Sequence, residues 1–150
     1  MSSHARPRRR MSGIGRVLVV VYAILAVGAS GRSLVQIIER FDQAPLAFTL
    51  SAVSAAVYIL ATLALIFAGS VVWYRVAWVA ISFELLGVLV IGTLSLIRPD
   101  LFPEATVWST FGMGYLFIPL VLPFLGLWWL ITHPPARDAQ EADAARAVAT

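Results

Sequence analysis

Long stretches of this chain carry almost no polar side chains, and they recur four times. The first runs roughly from Val17 to Leu34 and the second from Leu46 to Ala68. The third runs from Val76 to Ile97 and the fourth from Phe111 to Ile131. Each is near the ~20 residues that an α-helix needs to cross the hydrocarbon core of a bilayer. The second is the clearest, with no charge along its length. The pattern predicts an all-α fold, a bundle of four transmembrane helices.

The junctions between these stretches have local chemistry that fits. Arg16 opens the first. Beyond it, Leu34, Ile37, Ile38 and Phe41 recur at helical spacing, with Gln36, Glu39 and Arg40 between them. This predicts an amphipathic helical extension lying on the membrane or against the other helices. Asp42 to Pro45 reads as a capping residue followed by a helix-starting proline. Gly69-Ser70 separates the second and third stretches. Arg98-Pro99 ends the third, because proline disfavours helix in the residue before it. Pro119 and Pro123 lie inside the fourth and predict kinks, since neighbouring helices can satisfy the carbonyls they free. His133-Pro134-Pro135 stops it. Residues 1–13 read as a flexible Arg-rich tail, 14–131 as the membrane domain, and 132–150 as a disordered tail or a marginal helix. A secretory signal peptide fits the first stretch only loosely, because the apolar pattern continues past Arg32.

Composition strengthens this picture. The chain has 150 residues, 60% of them hydrophobic and 13% charged. Its mean hydropathy is +0.87. A soluble fold this short leaves too much of its surface wet to hide that much apolar side chain. The net charge is +3, and all eleven basic residues are arginine. They are unevenly placed. Arg6, Arg8, Arg9, Arg10, Arg16, Arg75, Arg137 and Arg146 fall on one side of a four-span chain, and Arg32, Arg40 and Arg98 on the other. The positive-inside rule then predicts that both termini are cytoplasmic. Arg6, Arg8, Arg9, Arg10 and Arg16 are placed to meet anionic lipid headgroups rather than nucleic acid. Trp73, Trp78, Trp128 and Trp129 fit the inner interface, and Trp108 the outer one.

Glu84 stands out against this background. It lies about 13 Å from the inner edge of its span, near mid-bilayer. An unpaired charge there costs at least a few kcal/mol. Glu84 therefore serves either as hydrogen-bonded glue between helices or as a proton, cation or ligand site. The second helix places Tyr58 at the same depth. Ser51, Ser54, Ala55, Tyr58, Ala61 and Thr62 form a small, partly polar stripe, expected to pack on Glu84, Gly87, Val88 and Ile91. Arg32 is expected at the outer headgroups, with an ion pair to Glu84 as the alternative. Gly112 and Gly114 are read as points of close helix approach at the start of the fourth span.

No catalytic constellation or metal set completes itself. With no cysteine, thiolate chemistry is excluded. Both histidines, His4 and His133, lie outside the apolar stretches. No catalytic residue, metal or cofactor is expected, and the chain reads as a non-enzyme.

The phrases APLAFTLSAVSAAVYILAT, RVAWVAISFELLGVLVIGTLSL, LFPEATVWSTFGMGYLFIPLVLP and GLWWL resemble hypothetical four-span membrane proteins of high-GC Actinobacteria. The resemblance covers more than half the chain and implies membrane location without a particular activity. Small multidrug-resistance carriers are also four-span proteins with an essential glutamate. Theirs lies in the first helix, whereas this one lies in the third, within SFELLG. Two functions follow as expectations. One is a scaffold, accessory or envelope-associated subunit, homo-oligomeric or bound to another membrane protein. The other is a proton-coupled carrier or channel component that uses Glu84.

Overall fold

A computed structural model describes residues 13–150, apart from the side chains of residues 136–142. The expected tail contacts of Arg6, Arg8, Arg9 and Arg10 lie outside the described residues. Five α-helices follow in order: α1 Gly13–Arg40, α2 Pro45–Ile66, α3 Val71–Ile97, α4 Ile118–Thr132 and α5 Pro135–Val148. Short 3₁₀ turns fill the gaps at Phe41–Gln43, Pro99–Leu101 and Ser109–Tyr115. Among the described residues there is no strand.

Helices α1, α2 and α3 are each long and apolar enough to cross a membrane. A fourth crossing exists only if the Ser109–Tyr115 turn and α4 count together, and these meet at 98°. Tight connections at 41–44 and 67–70 make α1 and α3 run parallel, with α2 antiparallel between them. Helix α4 returns to the start of α1. The Tyr74 hydroxyl donates to the Leu130 carbonyl at 2.6 Å, and a Cβ on Gly15 would lie 3.1 Å from the Trp129 indole. Gly13 and Thr132 therefore share one end of the bundle.

Helix α1 corrects the expected extension. It is one continuous helix of 28 residues, about 42 Å long at the usual rise. Its buried face is Gly15, Leu18, Tyr22, Leu25, Ala26, Ala29, Ser33 and Gln36, spaced by three or four apart from the adjacent Leu25 and Ala26. Leu34, Ile37, Ile38 and Phe41, expected to lie on the membrane or against the other helices, are exposed, so they do not pack against the other helices. Polar Ser33 and Gln36 face the protein and the large aliphatics face out, which is stable where the surroundings are hydrocarbon. Small residues on the buried face let α2 approach closely, and α2 packs more extensively on α1 than on any other element. The expected Asp42 cap is absent. Helix α2 begins after Ala44 with no side-chain cap, and Pro45 occupies its first turn.

Helix α3 starts at Val71, earlier than expected, and ends at Arg98. Here Arg98 Nε and Nη2 donate to both Asp100 oxygens at 2.9 and 2.8 Å. These hydrogen bonds hold the exposed Asp100 carboxyl below its ordinary value.

The fourth apolar stretch departs most from expectation. It is not a kinked helix from Phe111 to Ile131. The chain breaks at Leu116 and Phe117, both left-handed at φ 56° and 59°, and α4 begins only at Ile118. Pro119 is not a mid-helix kink: it sits in the first helical turn, where its missing N–H is harmless. Pro123 remains inside the helix. Thr110 and Phe111 are also left-handed, at φ 50° and 57°, beside Gly112 at φ 78°. For residues other than glycine this conformation costs about 1–2 kcal/mol each, so tertiary contacts must hold it. Gly112 serves a tight turn as well as close approach to α4: its Cβ would lie 2.8 Å from the Pro119 ring. Gly114 has open space around it. The final segment carries α5.

Candidate functional site

Glu84 lies thirteen residues from each end of α3 and is 0% exposed. Four other elements converge on it. Tyr22 of α1 donates its hydroxyl to Glu84 Oε2 at 2.6 Å. Tyr58 of α2 lies beside Tyr22, with ring centroids 6.3 Å apart. Trp108, from the segment between α3 and α4, donates its indole N–H to the Tyr58 hydroxyl at 3.0 Å. Gly126 of α4 closes the fourth side. A Cβ there would lie 3.4 Å from the Tyr22 hydroxyl and 3.0 Å from Ile81 Cδ1. Phe83 packs edge-on to Trp108 at 6.4 Å.

The partner of Glu84 is thus Tyr22, not Tyr58. Tyr58 belongs to the same cluster but accepts from Trp108. Tyr22 was legible as the single aromatic residue in the first apolar stretch. Placing the helix start at Val17 set it too close to the membrane edge to meet Glu84; the helix begins a turn earlier, at Gly13.

Trp108 is the second residue that the sequence misplaced. Instead of lying at an interface, it is 2% exposed in the core. The segment after α3 folds back into the bundle. A Cβ on Gly87 would stand 2.6 Å from Trp108 Cζ3, and one on Gly92 would stand 2.5 Å from Phe111 Cδ1. The two glycines are niches for two aromatic rings. Gly87 therefore receives the Trp108 indole rather than the small stripe of α2. Gly87 precedes Ile97 by ten residues, so the indole sits about 15 Å below the end of α3.

A loop at this depth must satisfy its own backbone. Thr106 and Ser109 do so reciprocally. The Thr106 N–H donates to Ser109 Oγ at 2.9 Å, and the Ser109 N–H to Thr106 Oγ1 at 3.0 Å. The Trp108 N–H shares Thr106 Oγ1 at 3.2 Å. Ser95 of α3 accepts from the Thr110 N–H at 2.8 Å.

The other expected site residues are dispersed. Ser51 and Ser54 are buried on α2, toward its start from Tyr58. Ser54 donates to the Ser51 carbonyl at 2.7 Å, and Thr62 donates to the Tyr58 carbonyl at 2.7 Å. These bonds return to α2 itself, so the stripe acts there as packing surface. Arg32 does not pair with Glu84. It donates through Nη2 to the Ala105 carbonyl at 2.6 Å and reaches Tyr115 at 3.5 Å. It thereby ties the second half of α1 to the segment between α3 and α4. His133 stacks on Trp129 at 4.8 Å, just beyond α4.

Two chemical features define the cluster. It is enclosed: Tyr22, Tyr58 and Glu84 are all 0% exposed. It is also incompletely paired, because Glu84 Oε1 has no hydrogen-bond partner. One oxygen is committed to Tyr22, and the other is free to accept a proton or a donor. Among the described residues, no group of three or more His, Cys, Asp or Glu is placed to hold a metal. Neither family models, curated proteins nor solved structures gave a match to the chain.

Proposed function

We propose that this chain is a non-enzymatic integral protein of the bacterial plasma membrane that works as a scaffold, accessory or envelope-associated subunit. One observation carries this reading. The single acid in the middle of the membrane-length helices is fully enclosed and bonded to Tyr22. A carboxyl so placed joins α1 to α3 as internal glue. The apolar outer faces of α1 to α3 remain for lipid, for a second copy or for another membrane protein. The arginine asymmetry supports cytoplasmic termini and contact of the amino-terminal arginines with anionic headgroups. A reporter fused after Thr150 should accordingly be active in the cytoplasm; activity on the opposite face would reverse the orientation.

A second reading is favoured by the unpaired Glu84 Oε1. In it the protein is a proton-coupled carrier or channel component, and Glu84 takes up the proton. Purified protein in liposomes under a pH gradient separates the two. The scaffold reading expects the same proton flux from wild type, from Glu84→Gln and from empty liposomes, with a membrane partner co-purifying in mild detergent. Flux above the empty-liposome background that Glu84→Gln abolishes replaces the scaffold reading with the carrier.

A further inference from the structure

We propose that the segment from Phe102 to Phe117 is a displaceable plug, and that its withdrawal opens Glu84 Oε1 to water from the Arg32 end as a protonation site. The ligand identity rests on the carrier reading; the movement of the plug does not.

Three observations converge. The first is the seat. Trp108 and Phe111 enter niches that exist only because Gly87 and Gly92 lack side chains. Aromatic rings resting on bare helix backbone can leave without unwinding α3. The second is stored strain. Thr110, Phe111, Leu116 and Phe117 hold left-handed conformations, and no glycine relieves them. Such strain persists only while the seated contacts impose it, and it clusters at switching elements. The third is what lies behind the plug. Trp108 caps Tyr58 on the same enclosed cluster as Glu84, whose Oε1 is buried without a partner. Ser33 Oγ, Gln36 Oε1 and Ser51 Oγ are also buried without a partner, but of these four oxygens only that of Glu84 belongs to an ionisable group, so it is the one a proton can fill.

The same segment carries its own latch. Arg32 Nη2 holds the Ala105 carbonyl at 2.6 Å, on the way into the plug and remote from Glu84. When the plug is out, the carboxyl exchanges its proton with water at Oε1; as the plug reseats it is buried again as the neutral acid, because an unpaired charge in the closed cluster is costly, while Tyr22 still donates to Oε2. The groups that face the acid are Tyr22 from α1 and Tyr58 from α2; Gly126 of α4 contributes no side chain.

The chain has no cysteine, so Val88→Cys, one turn beyond Glu84 and 0% exposed, supplies a single reporter thiol. A membrane-impermeant cationic thiosulfonate is applied from the Arg32 face of oriented vesicles. With the latch intact, labelling should be slow. Adding Arg32→Gln should speed it about tenfold, the population shift expected when a charge-assisted hydrogen bond is lost from the closed state. Gly87→Ala, which obstructs the indole, should speed it further. Unchanged rates in Arg32→Gln protein with wild-type circular dichroism overturn the plug, whether or not Gly87→Ala folds. Labelling only from the Arg16 face, or labelling of Val88→Cys with Arg32 intact as fast as at Ala105→Cys, overturns it equally. Accelerated labelling without proton flux leaves the plug standing and removes the carrier.

Discussion

Trp108→Ala is expected to destabilise the protein by about 3 kcal/mol, the lower end of the cost of removing a buried tryptophan. Trp108 is among the largest fully buried side chains, and its ring fills the Gly87 niche. The low end applies because apolar surface here is traded against lipid as well as water, leaving mainly the packing and cavity terms. Part of the loss is the Tyr58 hydroxyl, which forfeits its indole donor. Trp108→Phe keeps one ring in the core, removes that donor and leaves a smaller void, and should cost about 1–2 kcal/mol. Unfolding by graded denaturing detergent, followed by circular dichroism, measures both. Equal stability of wild type and Trp108→Ala would mean that the re-entrant segment does not pack in the core.

The Glu84 series should separate a hydrogen-bonded acid from a merely tolerated one. Glu84→Ala leaves the Tyr22 hydroxyl buried with no acceptor and should cost about 1–2 kcal/mol. Glu84→Gln retains a carbonyl oxygen for Tyr22 and should stay within about 0.5 kcal/mol of wild type. Tyr22→Phe should resemble Glu84→Ala. The double variant Tyr22→Phe/Glu84→Ala should cost less than the two single losses combined, by about 1 kcal/mol, because both remove the same bond. Strict additivity would show that the Tyr22–Glu84 bond contributes nothing to the bundle.

Much of this architecture is written in the order of polar and apolar residues, and the misses have physical causes. The uncharged run of α2 and the lone Glu84 within α3 were readable because each is extreme for its surroundings. Helix α1 was readable as a helix, but its inward face was not. The spacing of Leu34, Ile37 and Ile38 reads as a separate amphipathic extension on the membrane or against other helices, whereas in the continuous α1 they face outward and Ser33 and Gln36 face the protein. The break before α4 left little local trace. Leu116 and Phe117 are ordinary apolar residues driven left-handed by tertiary contacts, whereas Pro119, the conspicuous breaker, only begins a helix. Trp108 was placed by the usual preference of indoles for interfaces; the niche that draws it inward is formed by Gly87, twenty-one residues away. Glu84 was legible as an expensive side chain, but pairing it required the true start of α1, since one turn of error moved Tyr22 out of reach.

The brevity of α4 reaches beyond the protein itself. At 15 residues it spans about 22 Å, against a hydrocarbon thickness near 30 Å. Its neighbours α1 and α3 are almost twice as long. A bilayer meeting this bundle therefore encounters a tall wall on three sides and a notch on the fourth. Lipid tails beside the notch must splay or shorten, at a cost of a fraction of a kcal/mol for each ångström of mismatch. That asymmetry gives the molecule a preferred flank for thinned membrane, and a reason to turn the flank toward whatever relieves the deformation.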